Sequence, residues 1–237
     1  MFNCLKNIFS SSNYIKTESN NLIILLPKNS KPNSTLIFLH GIGDSGEGYL
    51  QTFDSPNKPV PQNMKVILPT APLSYVNINK IELNSWFDIK GFTKEEDINL
   101  NDIKKNSEFF YKLIEEEAKQ YNNEYKKIFL GGFSQGACLS LNIGLNFEKN
   151  IGGLIIFSGI LFQSLTINVK NKENLPIYIG HGINDLVINF NLAKYSYNYF
   201  IENKYKNVNF NEFNIEHCIC PQELIDMKTF LENLINS

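Results

Sequence analysis

Arginine is absent from this sequence: all 22 basic residues are lysine. The planar bidentate fork that grips phosphate groups is therefore missing, which argues against an enzyme built around phosphate clamping. Histidine is nearly as scarce. Any chemistry that needs an imidazole has three candidates, His40, His181 and His217. Cysteine is limited to Cys4, Cys138, Cys218 and Cys220, whose spacing fits neither a zinc framework nor a small disulfide scaffold. The Cys218-x-Cys220 pair could bind metal or cycle between thiol and disulfide, but a second ligand pair is lacking. A reducing compartment is the simpler reading. No apolar run approaches the ~18 residues of a membrane span. The first twenty residues lack the apolar stretch of a secretory signal, because Asn3, Lys6 and Asn7 interrupt it. A net charge of -2 offers no general attraction to nucleic acid or to an anionic membrane.

What is present is an ordinary globular composition, 43% hydrophobic and 19% charged over 237 residues, enough for one α/β domain with a sizeable core. Residues 1–20 read as an N-terminal tail and 21–237 as a single domain. Within the tail, Phe2, Leu5, Ile8 and Phe9 could share a face beside Cys4. A palmitoylated Cys4 would give transient membrane contact; a frayed polar tail is the plainer reading. Short apolar runs at Leu22–Leu26, Thr35–Leu39, Val66–Leu68, Lys127–Leu130, Gly153–Phe157, Ile177–Ile179 and Val208–Phe213 predict strands. Helical spacing appears over 101–121, directly after Ser134, over about 190–202, and through Leu224, Met227, Leu231 and Leu234. This alternation predicts an α/β fold, with a mostly parallel central sheet flanked by helices on both faces. Segment 70–100 has no clear periodicity and reads as a functional loop.

The sharpest motif is Gly132-Phe-Ser134-Gln-Gly136, a G-x-S-x-G between a predicted strand and a predicted helix. A nucleophilic Ser needs this setting: a tight strand-to-helix turn that projects its hydroxyl, flanked by positions where side chains would collide. A chance match in a chain of this size is expected roughly 0.08 times, and the strand and helix around it sharpen the signal. An α/β-hydrolase presents its groups in the order Ser, acid, His. Of the three histidines only His217 lies near the C-terminus, after a predicted strand and before the last helix. Asp185 sits just past the predicted strand Ile177–Ile179, where open parallel sheets place functional groups; helix N-capping is its structural alternative. Asp226 is out of order, Asp44 and Asp88 precede the Ser, and Glu216 points away from its neighbour on an extended segment.

Negative charge on a tetrahedral intermediate needs backbone donors. Gln135, after the nucleophile, supplies one. The glycine-rich run after Leu36–Leu39 supplies the second at Ile42. That run lacks the Lys-Ser/Thr of a phosphate-cradling loop. No metal or organic cofactor is required.

In order along the chain stand Leu39-His-Gly-Ile-Gly-Asp44, Leu68-Pro-Thr-Ala-Pro72, Ser85-Trp-Phe-Asp88, Gly131-Gly-Phe-Ser-Gln-Gly136, His181-Gly-Ile-Asn-Asp185 and His217-Cys-Ile-Cys-Pro-Gln-Glu-Leu224. From about residue 22 to the end, the sequence resembles the acyl-protein thioesterase, lysophospholipase and small carboxylesterase family. The resemblance implies a cytoplasmic hydrolase that removes palmitate-type groups from S-acylated proteins, with lysophospholipids or small acyl esters as alternative substrates. It implies a triad of Ser134, Asp185 and His217, an oxyanion hole at Ile42 and Gln135, and an acyl-binding region with Ile78, Ile81, Leu83 and Trp86 as walls. The departures are Glu216 where the family has Gly, Asn77–Asn84 in place of a glycine-rich stretch, and Asp185-Leu-Val-Ile without the usual prolines. A catalytically silent acyl- or partner-binding protein is the alternative of a different class; the complete triad weighs against it.

Overall fold

The computed structural model describes residues 14–19, 21–55, 57–91, 97–162 and 171–236. The apolar runs form β2 (Leu22–Pro27), β3 (Ser34–Leu39), β4 (Met64–Pro69), β7 (Ile128–Phe133), β8 (Gly153–Phe157), β9 (Ile177–Gly182) and β10 (Val208–Phe213). With β1 (Tyr14–Ser19) they make one eight-stranded sheet in the order β1-β2-β4-β3-β7-β8-β9-β10. Within that sheet β4, β3, β7, β8, β9 and β10 pair in parallel, and β1 and β2 add an antiparallel edge.

Both faces of the sheet are covered, and β3 shows how. Ile37 and Leu39 face a core shared with α2 (Leu100–Lys119), α3 (Gln135–Asn146) and α4 (Phe190–Glu202). Leu36 and Phe38 face a second core with α1 (Leu50–Phe53) and α5 (Pro221–Ile235). The period of two sorts one continuous apolar run onto two layers. α3 runs buried from Gln135 to Leu145, which its nearly uniform apolar sequence permits. In α2 Ile103, Ser107, Phe110, Ile114 and Ala118 are buried, together with Glu117. That charged position is matched by Lys65, 2.7 Å away and equally buried.

Two expectations are corrected. The tail does not extend to residue 20, since Tyr14–Ser19 pairs with β2 residue for residue. Its sequence carries no alternating stripe because only Tyr14 is buried; the phenol donates to the Met64 carbonyl at 3.0 Å. Segment 70–100 also contains a hairpin, β5 (Leu73–Val76) with β6 (Ile81–Asn84), and a bridge between Ile89 and Ile98. Four-residue strands are too short to display a period. Cys4 and the apolar positions around it lie outside the described residues.

Candidate active site

Three loops at the carboxyl ends of β7, β9 and β10 converge. At the end of β7 the chain turns into α3 through Ser134, whose backbone takes φ 53° and ψ -119°. A non-glycine residue there is strained by about 1–3 kcal/mol and persists only when its surroundings over-determine it. Here they do: Ser134 N–H donates to the Phe157 carbonyl (2.9 Å), and its own carbonyl accepts from Cys138 N–H (3.0 Å). The flanking glycines are sterically required. A Cβ on Gly132 would stand 2.5 Å from the Leu39 carbonyl oxygen, and one on Gly136 would strike the Leu39 and His40 carbonyls. The collision is thus with the end of β3 as well as across the turn.

His217, after β10, places Nε2 2.9 Å from Ser134 Oγ and Nδ1 2.6 Å from Asp185 Oδ2. The Phe133 ring packs beside the imidazole, centroids 4.8 Å apart. Asp185 is buried, and its Oδ1 accepts from the amides of Val187 (2.9 Å) and Ile188 (2.8 Å). It does not cap α4; Asn189 does, accepting from Asn191 N–H. Hydroxyl, imidazole and carboxylate in series is the arrangement in which imidazole can take the hydroxyl proton while the carboxylate holds its tautomer.

The other two histidines have separate places. His40 Nδ1 donates to the Gly41 carbonyl (2.6 Å) and Nε2 accepts from Ala71 N–H (3.0 Å). Burial lowers its pKa, so it is a neutral brace for the loop after β3. His181 lies behind Asp185. Its Nε2 donates to the Ile188 carbonyl at 2.8 Å and stands 3.4 Å from Asp185 Oδ2. Burial lowers its pKa as well. Glu216 is exposed.

Ile42 and Gln135 border Ser134 in one cleft of about 190 Å³. Among the described residues neither amide N–H has a protein acceptor. The loop carrying Ile42 is tied to β6: Gly43 N–H donates to the Asn84 carbonyl (2.8 Å), and Asn84 Nδ2 donates to the Asp44 carbonyl (2.9 Å). The Gln135 side chain clamps the Ser85–Asp88 block. Its Oε1 accepts from Trp86 N–H (3.0 Å), and its Nε2 donates to Ser85 Oγ (2.9 Å) and the Phe87 carbonyl (2.7 Å). That clamp explains physically why these two sequence blocks occur together.

Phe87, Ile89, Cys138, Phe162 and Val187 give the cleft further apolar walls, and Asp44 is its one described carboxylate. The four residues expected there lie elsewhere. Ile78 and Ile81 are exposed, and Leu83 packs near Gly43. Trp86 is buried against Phe110, its indole N–H donating to the His40 carbonyl at 2.8 Å. Trp86 and Phe87 stand in a bend and both are buried in the same core, but only Phe87 also lines the cleft. Phe162 and Val187 come from loops after β8 and β9, and only their neighbourhood to predicted strand ends could have pointed to them. Cys138 Sγ accepts from Ile160 N–H (3.3 Å), and burial pushes the thiol up to about 12. Cys218 and Cys220 are free thiols. Among the described residues no group of three or more His, Cys, Asp or Glu could hold a metal, and no helix is long and apolar enough to cross a membrane.

Comparison with known proteins bears on this site. The family described as phospholipase/carboxylesterase matches residues 20–235. Acyl-protein thioesterase 1 of Candida albicans is 31% identical over 226 residues, spanning 90% of this chain and 97% of the relative. The protein of the same name from Yarrowia lipolytica is 32% identical over 228 residues, spanning 90% and 96%. The crystal structure of Zea mays acyl-protein thioesterase 2 superposes with a TM-score of 0.77 at 22% identity, covering 92% of this chain and all of that one.

Proposed function

The chain belongs to the phospholipase/carboxylesterase family of α/β-hydrolases, and from that premise we propose that it hydrolyses acyl thioesters of S-acylated proteins in the cytoplasm, with Ser134 as nucleophile. The observation that carries the reading is the relay Asp185–His217–Ser134, at 2.6 and 2.9 Å, at the mouth of an apolar cleft.

His217 Nε2 takes the Ser134 proton as Oγ attacks the thioester carbonyl carbon. The oxygen becomes an oxyanion, held by the amides of Ile42 and Gln135. Collapse breaks the C–S bond, and the departing thiolate takes the proton from Nε2. Water then attacks the Ser134 ester, giving its proton to His217. Release of the carboxylic acid returns that proton to Ser134 Oγ. Asp185 keeps Nδ1 protonated and stabilises the imidazolium. The thioester preference draws on the relatives, which are named as acyl-protein thioesterases, and on a cleft whose walls are mainly apolar.

A fluorophosphonate probe is expected to label the protein covalently and Ser134→Ala to abolish the label. Labelling that persists in the variant would remove Ser134 from the mechanism. Turnover of a palmitoylated peptide should exceed that of lysophosphatidylcholine and of a short nitrophenyl ester; preference for the lipid would replace the thioesterase reading by a lysophospholipase one.

A further inference from the structure

His217 is a wall of two clefts. The first, described above, holds Ser134 and the amides of Ile42 and Gln135. The second, of about 270 Å³, lies against the same imidazole and the same Phe133 ring. It is lined by Tyr49 and Thr52 from the segment around α1, and by Cys218, Ile219 and Leu224 from the His217 loop and α5.

The acyl-transfer chemistry divides the substrate between these two spaces. The carbonyl oxygen must face the Ile42 and Gln135 amides, so the acyl chain belongs to the first cleft. The leaving sulfur takes its proton from His217 Nε2 and must lie within about 2.6–3.2 Å of it. The group attached to that sulfur therefore departs beside the imidazole, which the second cleft also borders.

Apart from His217, its described lining carries no formally charged side chain. Burial beside Asp44 raises the Tyr49 phenol pKa, and partial burial near Glu223 raises that of the Cys218 thiol. The acidic groups around this cleft are Asp44 in the first cleft, Asp185 bonded to His217, and Glu216 and Glu223 near Cys218. Among the described residues no lysine lines either cleft. A phosphodiester leaving group would meet these carboxylates and, among the described residues, no cation besides the His217 imidazolium formed in the reaction; an uncharged side chain would bury apolar surface.

Resting on the thioesterase reading, we propose that the second cleft is a leaving-group subsite, seating an aliphatic or aromatic side chain adjacent to the acylated cysteine of a peptide substrate. The enzyme would then read the protein sequence around the thioester as well as the acyl chain.

The test compares two octanoylated peptides that differ only in the residue after the acyl-cysteine, Leu or Gly, with octanoyl lysophosphatidylcholine as a third substrate. The native protein should prefer the Leu peptide by about tenfold in kcat/KM, the scale of discrimination by an apolar pocket. Thr52→Trp, which fills the cleft, and Ile219→Ala, which hollows it, should each bring the Leu/Gly ratio toward one. The ratio is the readout because general damage lowers both rates together. A native ratio near one, or a ratio unchanged in both variants, would overturn the subsite and leave the esterase reading standing. Faster turnover of the lysolipid would overturn the peptide as occupant, and no turnover of any substrate would overturn the hydrolase reading with it.

Discussion

Asp185 divides its two oxygens between the backbone and the base: Oδ1 takes the Val187 and Ile188 amides, Oδ2 takes His217 Nδ1. An Asn in its place must turn its NH2 toward one of these donors, so one set of bonds becomes donor against donor. In the proposed relay, Asp185→Asn should lower kcat by about 10⁴-fold with little change in KM, since the imidazole loses its tautomer. Steady-state kinetics on a soluble thioester would check this, and a loss under tenfold would remove Asp185 from the relay. At this scale the sequence was most legible where chain order constrained the choice. Three histidines and a rule of order singled out His217, and the strand end before it singled out Asp185. Wall residues carried no such constraint. Which of Trp86 and Phe87 faces the cleft depends on the Gln135 clamp, made by a residue 49 positions away in sequence.

At the level of elements, the His217 loop is held by the first turn of α5. Glu223 Oε2 accepts from Cys220 N–H at 2.8 Å, while Oε1 is buried without a hydrogen-bond partner among the described residues. Burial raises the Glu223 pKa to about 7. A carboxyl whose folded pKa lies above its unfolded value binds more protons when folded. Its contribution is full below about pH 4.5 and is lost as pH rises through about 7. Glu223→Gln stays neutral throughout. Its stability relative to the native protein should therefore rise by about 2–3 kcal/mol between pH 4.5 and pH 8, read from urea midpoints. A flat difference across that range would show that the carboxyl is already ionised in the fold. His40 and His181 act in the opposite sense, their lowered pKa values costing stability as pH falls below about 6.5; both proteins share that cost, so it cancels in the difference. The elements themselves were readable where they are long or buried. β1 and the β5–β6 hairpin were not, because an exposed edge strand and a four-residue strand are defined by their pairing partners.

Across the whole molecule, the proposed chemistry gathers at the carboxyl ends of the parallel strands, while Lys65 and Glu117 pair near the start of β3 and β4, at the other end of the sheet. Glu117 also accepts from Thr35 Oγ1 at 3.0 Å. Removing one partner leaves a buried charge without compensation, so Lys65→Met should cost about 3–5 kcal/mol in denaturant unfolding. Lys65→Met with Glu117→Leu should recover most of that loss. Fluorophosphonate labelling below the transition should be unchanged in the double variant. A single substitution costing under 1 kcal/mol would mean that the pair is solvated.

The sequence by itself determined the layered α/β plan, the strand-to-helix turn at Ser134, and the order that selects His217 and Asp185. These follow from local periodicity, from the glycines of the G-x-S-x-G turn and from chain order, all of which can be read along the chain. The Leu39 carbonyl of β3, which also excludes a Cβ at Gly132 and Gly136, comes from the tertiary structure. Only the tertiary structure decided which side chains face the cleft, that His181 braces Asp185 from behind, and that the His217 imidazole separates two cavities. Each depends on loops from different strands meeting at the same edge of the sheet, and a one-dimensional pattern does not encode the direction in which a side chain leaves a loop.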